Sequence, residues 1–142
     1  MAALRLKDIE AALLARLAAK CAPGSVLLGT LDPVDLTDDA TTPVVGKLFL
    51  YRLDPTASQV GTHARLGLAF AFSVMVDTGR ADSGQRDAAF DLLEDAGNAL
   101  VGWEITAGRE LEIIPGPESG NDGRIIRLSL AFTLPSHLVG TP

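Results

Sequence analysis

At 142 residues and 47% hydrophobic composition, the chain suits one domain with a substantial core, and a charged fraction of 21% excludes a disordered chain. With 12 basic and 18 acidic residues the net charge is −6, which offers little attraction to phosphate and argues against a nucleic-acid reader, though not against a surface that DNA slides past. The single cysteine, Cys21, excludes an intramolecular disulfide and suits a reducing cytosol.

The first predicted element is a helix over residues 6–21. Leu6, Ile9, Leu13, Leu17 and Cys21 recur at three- and four-residue steps and draw one apolar stripe. Asp8 and Glu10 open it, Arg16 and Lys20 close it, in line with the helix dipole, and Pro23-Gly24 stops it. Cys21 ends the stripe and reads as a small buried hydrophobe. The same region is not expected to be a leader peptide, because Lys7, Asp8, Glu10, Arg16 and Lys20 leave no uncharged core. The longest apolar stretch elsewhere, residues 66–76, is about half of what a spanning helix needs, so no membrane partner is expected.

Residues 26–31 form a short candidate strand. An acidic loop follows to Pro43, carrying Asp32, Asp35, Asp38 and Asp39 without a basic residue. Its spacing does not match a calcium hand, and Pro33 stiffens its start, so the loop is expected to be solvated or to act as a negative patch, lining a channel or meeting a basic partner. Strand-like sequence covers residues 44–53, with Asp54-Pro55 expected to end it and residues 56–63 expected to be a polar loop. Over residues 65–76, Leu66, Leu68, Phe70, Phe72, Val74 and Val76 alternate with Gly67, Ala69, Ala71, Ser73 and Met75. Period two over that distance is a strand, about twice the usual length.

A second helix is expected over residues 83–102, with Ser83 as N-cap, Phe90, Leu93, Gly97 and Leu100 or Val101 as its apolar face, and Gly102 as its end. Residues 110–115 read as a short strand and 116–123 as a turn-rich connection. In residues 124–134, Ile126, Leu128, Leu130, Phe132 and Leu134 face one way, while Ile125, Arg127, Ser129, Ala131 and Thr133 face the other. Pro135 is expected to break this strand and leave residues 135–142 as a loose tail. The order predicts a single α+β domain over residues 1–142, a mostly antiparallel sheet with two helices packed on one face.

The other face of the sheet is unusual. A solvated face alternates apolar residues with charged or polar ones, but Gly67, Ala69, Ala71 and Ser73 are small and uncharged. Either the chain covers this face itself, with the acidic loop folding across, or a neighbouring copy does. Long strands whose ends outrun the helices favour the neighbour. In that reading Gly67, Ala69, Ala71 and Ser73 belong to a subunit interface. Arg80 and Arg86, in and after the charged loop with Asp77, Asp82 and Asp87, would set its register.

Motifs for chemistry are sparse. No phosphate loop, dinucleotide fingerprint or nucleophile elbow is present. His63 and His137 are isolated and expected in loops, Cys21 has no histidine near it, and Glu110 and Glu112 read as a solvent-facing pair. No catalytic residue, cofactor or metal site is therefore assigned.

Several stretches resemble the tail terminator proteins of Mu-like and other long-tailed phages and prophages. Leu68-Ala-Phe-Ala-Phe-Ser-Val-Met-Val76 is similar to that family's central strand and Arg80-Ala-Asp-Ser-Gly-Gln-Arg86 to its polar loop. Phe90-Asp-Leu-Leu-Glu-Asp95 and Ala99-Leu-Val-Gly-Trp103 resemble its second helix, and Leu6-Lys-Asp-Ile-Glu-Ala-Ala-Leu-Leu-Ala-Arg-Leu17 its first. Ala88 departs from the pattern, where many relatives carry glycine. The loop from Asp32 to Pro43 and the residues after Pro135 have no counterpart. The resemblance implies a structural protein, not an enzyme. It would form a hexameric ring that binds the tail tube protein, stops tube growth and offers a surface to the head-side connector protein, while DNA passes through the lumen without specific binding. It further implies assembly in the host cytoplasm and a final place at the head-proximal end of the virion tail. A head–tail connector or tail-completion subunit, and a small metabolic enzyme or ligand-binding domain, are the alternatives.

Overall fold

Helix α1, Leu6–Lys20, forms on the stripe set out above and buries Ile9, Leu13 and Leu17. The Asp8 carboxylate accepts the Arg5 amide at 3.4 Å in its first turn. In this computed structural model the described residues are 5–36, 42–60, 63–106, 109–117, 120–121 and 123–140. The remaining elements are β1 (Leu27–Leu28), β2 (Val44–Val60), β3 (His63–Asp77), α2 (Ser83–Leu100), β4 (Glu104–Thr106), β5 (Arg109–Glu110), β6 (Glu112–Ile114), β7 (Gly120–Asn121) and β8 (Ile125–Gly140).

A six-stranded sheet runs in the order β1-β2-β3-β8-β6, with β7 also paired to β8. Only β1 and β2 are parallel; the other pairs are antiparallel. Both helices lie on one face. There Ile9, Leu13 and Leu17 of α1 and Leu92, Ala96 and Leu100 of α2 form one core with Leu48, Leu68, Phe70, Phe72, Val74, Phe132 and Leu134 of the sheet. The fold is the expected α+β layer, and the period-two alternation of β3 and β8 assigns their core faces correctly.

Two prolines do not end strands where the sequence suggests. β2 continues through Asp54-Pro55 to Val60, and β8 through Pro135 to Gly140. Past Lys47 no described strand covers the outer side of β2, and an edge strand tolerates proline. At Pro135 the register slips: Leu68 pairs Leu134 and Leu66 pairs His137, so Pro135 and Ser136 face Gly67 alone in a bulge. His63 and His137 therefore lie on strands, not in loops, and residues 135–140 belong to the sheet.

The three long strands hold 17, 15 and 16 residues, about 50 Å each at the usual rise. Helix α2 holds 18, about 27 Å. The buried core stops at Leu68 and Leu134, and beyond it residues 54–60, 63–66 and 137–140 continue as a paired three-stranded arm.

Helix α2 starts one residue earlier than the serine cap predicts. Asp82 is the N-cap, its carboxylate accepting the Gln85 amide at 2.8 Å while Gln85 Oε1 accepts the Asp82 amide at 3.0 Å. This reciprocal pair satisfies two otherwise orphaned donors. Gly102, at φ +71°, turns the chain after the helix as expected. The 110–115 strand is in fact two. Glu110 belongs to β5, paired with β4, and Glu112 to β6, paired with β8. Leu111 between them is buried in the core.

Candidate functional site

On the second face of the sheet, Ala69, Ala71 and Ser73 are fully buried within the chain, and Gly67 is half-buried. Among the described residues the cover comes from the chain itself. Ala71 lies between Phe49 of β2 and Ala131 of β8. Phe49 and Tyr51 meet edge-on at 6.3 Å, and the Tyr51 hydroxyl donates to the Pro115 carbonyl at 3.2 Å. The backbone at Gly116 presses on Ala131 so closely that a Cβ there would stand 2.6 Å from the Ala131 Cβ. Ser73 shares a hydrogen bond with Ser129 at 2.6 Å. Small residues occupy this face because Tyr51 and the 115–117 segment cross it at close range. In the single chain the side chains of Ala69, Ala71 and Ser73 thus have almost no accessible surface.

The charged loop after β3 is anchored by an ion pair within the chain. Asp77 is buried and binds Arg124 through two oxygens, Nε to Oδ1 and Nη2 to Oδ2, each at 2.7 Å. Its Oδ1 also accepts the Gly79 amide at 3.1 Å. The Arg124 hydrogen bonds, aided by its charge, the Gly79 amide and the charge of Arg80, outweigh burial and hold the Asp77 carboxyl below the usual carboxylate range. The pair ties β3 to the start of β8, with Thr78 donating twice to the Arg124 carbonyl. Arg80 is half-buried and Arg86 is exposed on the first turn of α2, its Nε donating to the Asp82 carbonyl at 3.3 Å. Nothing in the sequence singled out Arg124, which lies 47 positions from its partner.

Helix α2 presents two apolar stripes. The buried one is Ala89, Leu92, Ala96, Ala99 and Leu100, one position away from the stripe expected. Phe90 is instead 63% exposed, and Leu93 and Gly97 flank the core with Leu130 beside Gly97. Between this flank and the first half of β8 lies an open groove of about 290 Å³, walled by Val76, Ala89, Phe90, Ile126 and Leu128 with Arg86 at its rim.

At the opposite edge of the sheet, the acidic loop begins on an ordered turn. The Gly29 amide donates to the Asp32 carboxylate at 2.7 Å. Glu10 of α1 accepts both the amide and hydroxyl of Thr30 at 2.6 Å, and the Thr30 hydroxyl accepts the Leu50 amide of β2 at 3.0 Å. Lys47 Nζ donates to the Asp32 carbonyl at 2.9 Å. Asp32 and Asp35 are exposed; Asp38 and Asp39 lie outside the described residues.

For small-molecule chemistry, a cleft of about 270 Å³ runs between the end of α1 and the side of α2, with Asp91 and Asp95 as the charged residues in its lining. Cys21 is buried, and burial together with the charge of Asp95 pushes its thiol above the ordinary range, the opposite of an activated nucleophile. Glu110 and Glu112 are exposed. No group of three or more metal-ligating side chains occurs among the described residues, and the side chains of His63 and His137 lie outside them. Among the described residues no helix is long and apolar enough to cross a membrane.

No protein-family model matches the chain, and no curated protein sequence matches it. Solved structures do match its fold. The chain superimposes over its whole length on 58% of the sheath/tube terminator of an extracellular contractile injection system, PVC, in its extended state, with a TM-score of 0.66 and 16% identity. It matches a chain in the virion of a native gene transfer agent particle with a TM-score of 0.54 and 19% identity, over 90% of this chain and 93% of that one. It also matches the tube-terminating cap of the anti-feeding prophage with a TM-score of 0.55 and 16% identity, over 99% of this chain and 57% of that one. The chain thus spans little more than half the length of the terminator and cap chains, and the likeness establishes the fold it shares with these particle components.

Proposed function

We propose that this chain is a structural, ring-forming terminator of a phage-type tail. It caps the tail tube, ends its growth and presents a surface for head joining. The observation that supports the reading best is the fold likeness, over the whole chain, to a sheath/tube terminator and to a tube-terminating cap. Local sequence agrees, since the helix, central strand and polar loop that resemble tail terminators fall on α1, β3 and the start of α2. In this reading the protein assembles as a ring, with six copies the expected number, and binds the tail tube protein on one side and the head-side connector protein on the other. The acidic balance suits a lumen that lets DNA pass without holding it. The molecule works by surface shape, with no cofactor in its action. Assembly takes place in the host cytoplasm, and the finished ring sits at the head-proximal end of the tail.

The test is direct. Tube protein polymerised with and without the purified chain is imaged by negative-stain electron microscopy. Rings at one end of each tube, together with shorter tubes as the chain is added, are expected. A chain that stays monomeric and leaves tube length unchanged at a several-fold excess would overturn the reading.

A further inference from the structure

Leu31 is 94% exposed, the most exposed large apolar side chain among the described residues. It stands at the tip of the turn that Glu10, Thr30, Asp32 and Lys47 hold in place. The turn is also close-fitted, since a Cβ on Gly29 would meet the Glu10 carboxylate at 3.2 Å. A loose loop can fold its leucine away; a turn clamped to both α1 and β2 holds it in water, where it gains free energy only when something apolar covers it. Val34 follows with part of its surface open, and Asp32 and Asp35 place two negative charges beside the tip.

The matching cavity lies on the far side of the same molecule. β1 forms one edge of the sheet, and β8 with β6 the other. The groove between α2 and β8 is walled by Val76, Phe90, Ile126 and Leu128, with the exposed Arg86 at its rim. An apolar tip flanked by carboxylates and an apolar groove rimmed by a guanidinium are complementary in both polarity and charge. Their positions on opposite edges suit head-to-tail contact, which closes a cyclic ring from identical subunits, whereas a two-fold dimer needs one self-complementary patch.

We infer that Leu31 of one copy inserts into the Phe90–Leu128 groove of the next, with Asp32 and Asp35 turned toward Arg86. The inference rests on the ring reading above and names the surface that makes the ring. It also gives the acidic loop a partner within the assembly.

Sedimentation velocity over a concentration series on the full chain tests it, using wild type, Leu31→Asp, Phe90→Asp and an equal mixture of the two variants. Both positions are exposed, so circular dichroism and thermal melting should match wild type. Wild type self-associates, and each variant alone weakens association about tenfold or more, as loss of an interface anchor does. In the mixture, the Phe90→Asp copy keeps its leucine and the Leu31→Asp copy keeps its groove, so association resumes but stops at dimers. Arg86→Glu weakens association, and Asp35→Arg introduced with it restores part of the loss. If wild type forms rings and the two single variants form them equally well, the surface lies elsewhere and the ring reading survives. If the variants fail alone and their mixture yields no dimers, the pairing of tip and groove is wrong. A wild type that remains monomeric at every concentration, with or without tube protein, removes the ring reading and this inference with it.

Discussion

Asp77 and Arg124 make a bidentate ion pair. The pair is shallow: Asp77 has no accessible surface, yet the Arg124 side chain that seals it is 48% exposed. Because Arg124 lowers the folded-state carboxyl below its unfolded value, the stabilisation is complete above the ordinary carboxylate range, near pH 4, and is lost as the pH falls through the lowered value. Asp77→Asn should therefore melt lower than wild type at pH 7, with the difference shrinking toward pH 2; thermal unfolding across that range measures it. A different mechanism governs Gly116, where an added methyl group would stand 2.6 Å from the Ala131 Cβ. Gly116→Ala should cost about 1–3 kcal/mol by overpacking, and Ala131→Gly in the same chain should recover part of it. Chemical denaturation of the two single variants and the double gives the coupling. An equal loss in the presence of Ala131→Gly would show that the two residues do not meet. Neither feature is legible in the sequence, because each joins residues that only the folded sheet brings together.

Among the elements, β3 was the most readable. Twelve residues of strict alternation name both its faces, and the face expected to be the core is the one that packs under the helices. Helix α2 is turned by one position, about 100°, from the stripe that its sequence predicts. Phe90 is the largest apolar side chain of the helix, but the helix packs instead through Ala89, Leu92, Ala96, Ala99 and Leu100, whose alanines let it lie close to α1 and the sheet. Arg16 shows the same close approach, donating to the Ala99 carbonyl at 3.0 Å while its guanidinium sits 5.3 Å from the Trp103 ring centre. The two stripes separate by mutation. Leu92→Ala should lose about 2–3 kcal/mol in urea unfolding, whereas Phe90→Ala should change the stability of the monomer by less than about 0.5 kcal/mol. A reversal of those sizes would mean that the helix is turned the other way. Strand ends are less legible in the sequence, since proline stops a central strand but not an edge or a bulge.

For the molecule as a whole, net charge and shape bear on function together. With a charge of −6 the chain has little to gain from counterion release, and it should leave duplex DNA unshifted in a gel at about 0.15 M salt and micromolar protein. Retention under those conditions would count against a wall that DNA slides past. The polar turn and open groove lie on opposite edges of one sheet, and the three-stranded arm extends past the helices, so surfaces are available in several directions from a small core.

The sequence by itself determined the fold class, both helices, the core faces of the two alternating strands and the smallness of the opposite face, because periodicity and side-chain size are local properties of the chain. What covers that opposite face was decided only in three dimensions. Tyr51 and the backbone at Gly116 reach it from remote positions, and small residues permit close approach by any layer, whether from the same chain or another. The same holds for the exposed pair of Leu31 and the Phe90 groove. Hydrophobicity marks these residues as apolar, but only the packing of α2 on its alanine stripe leaves the phenylalanine outside.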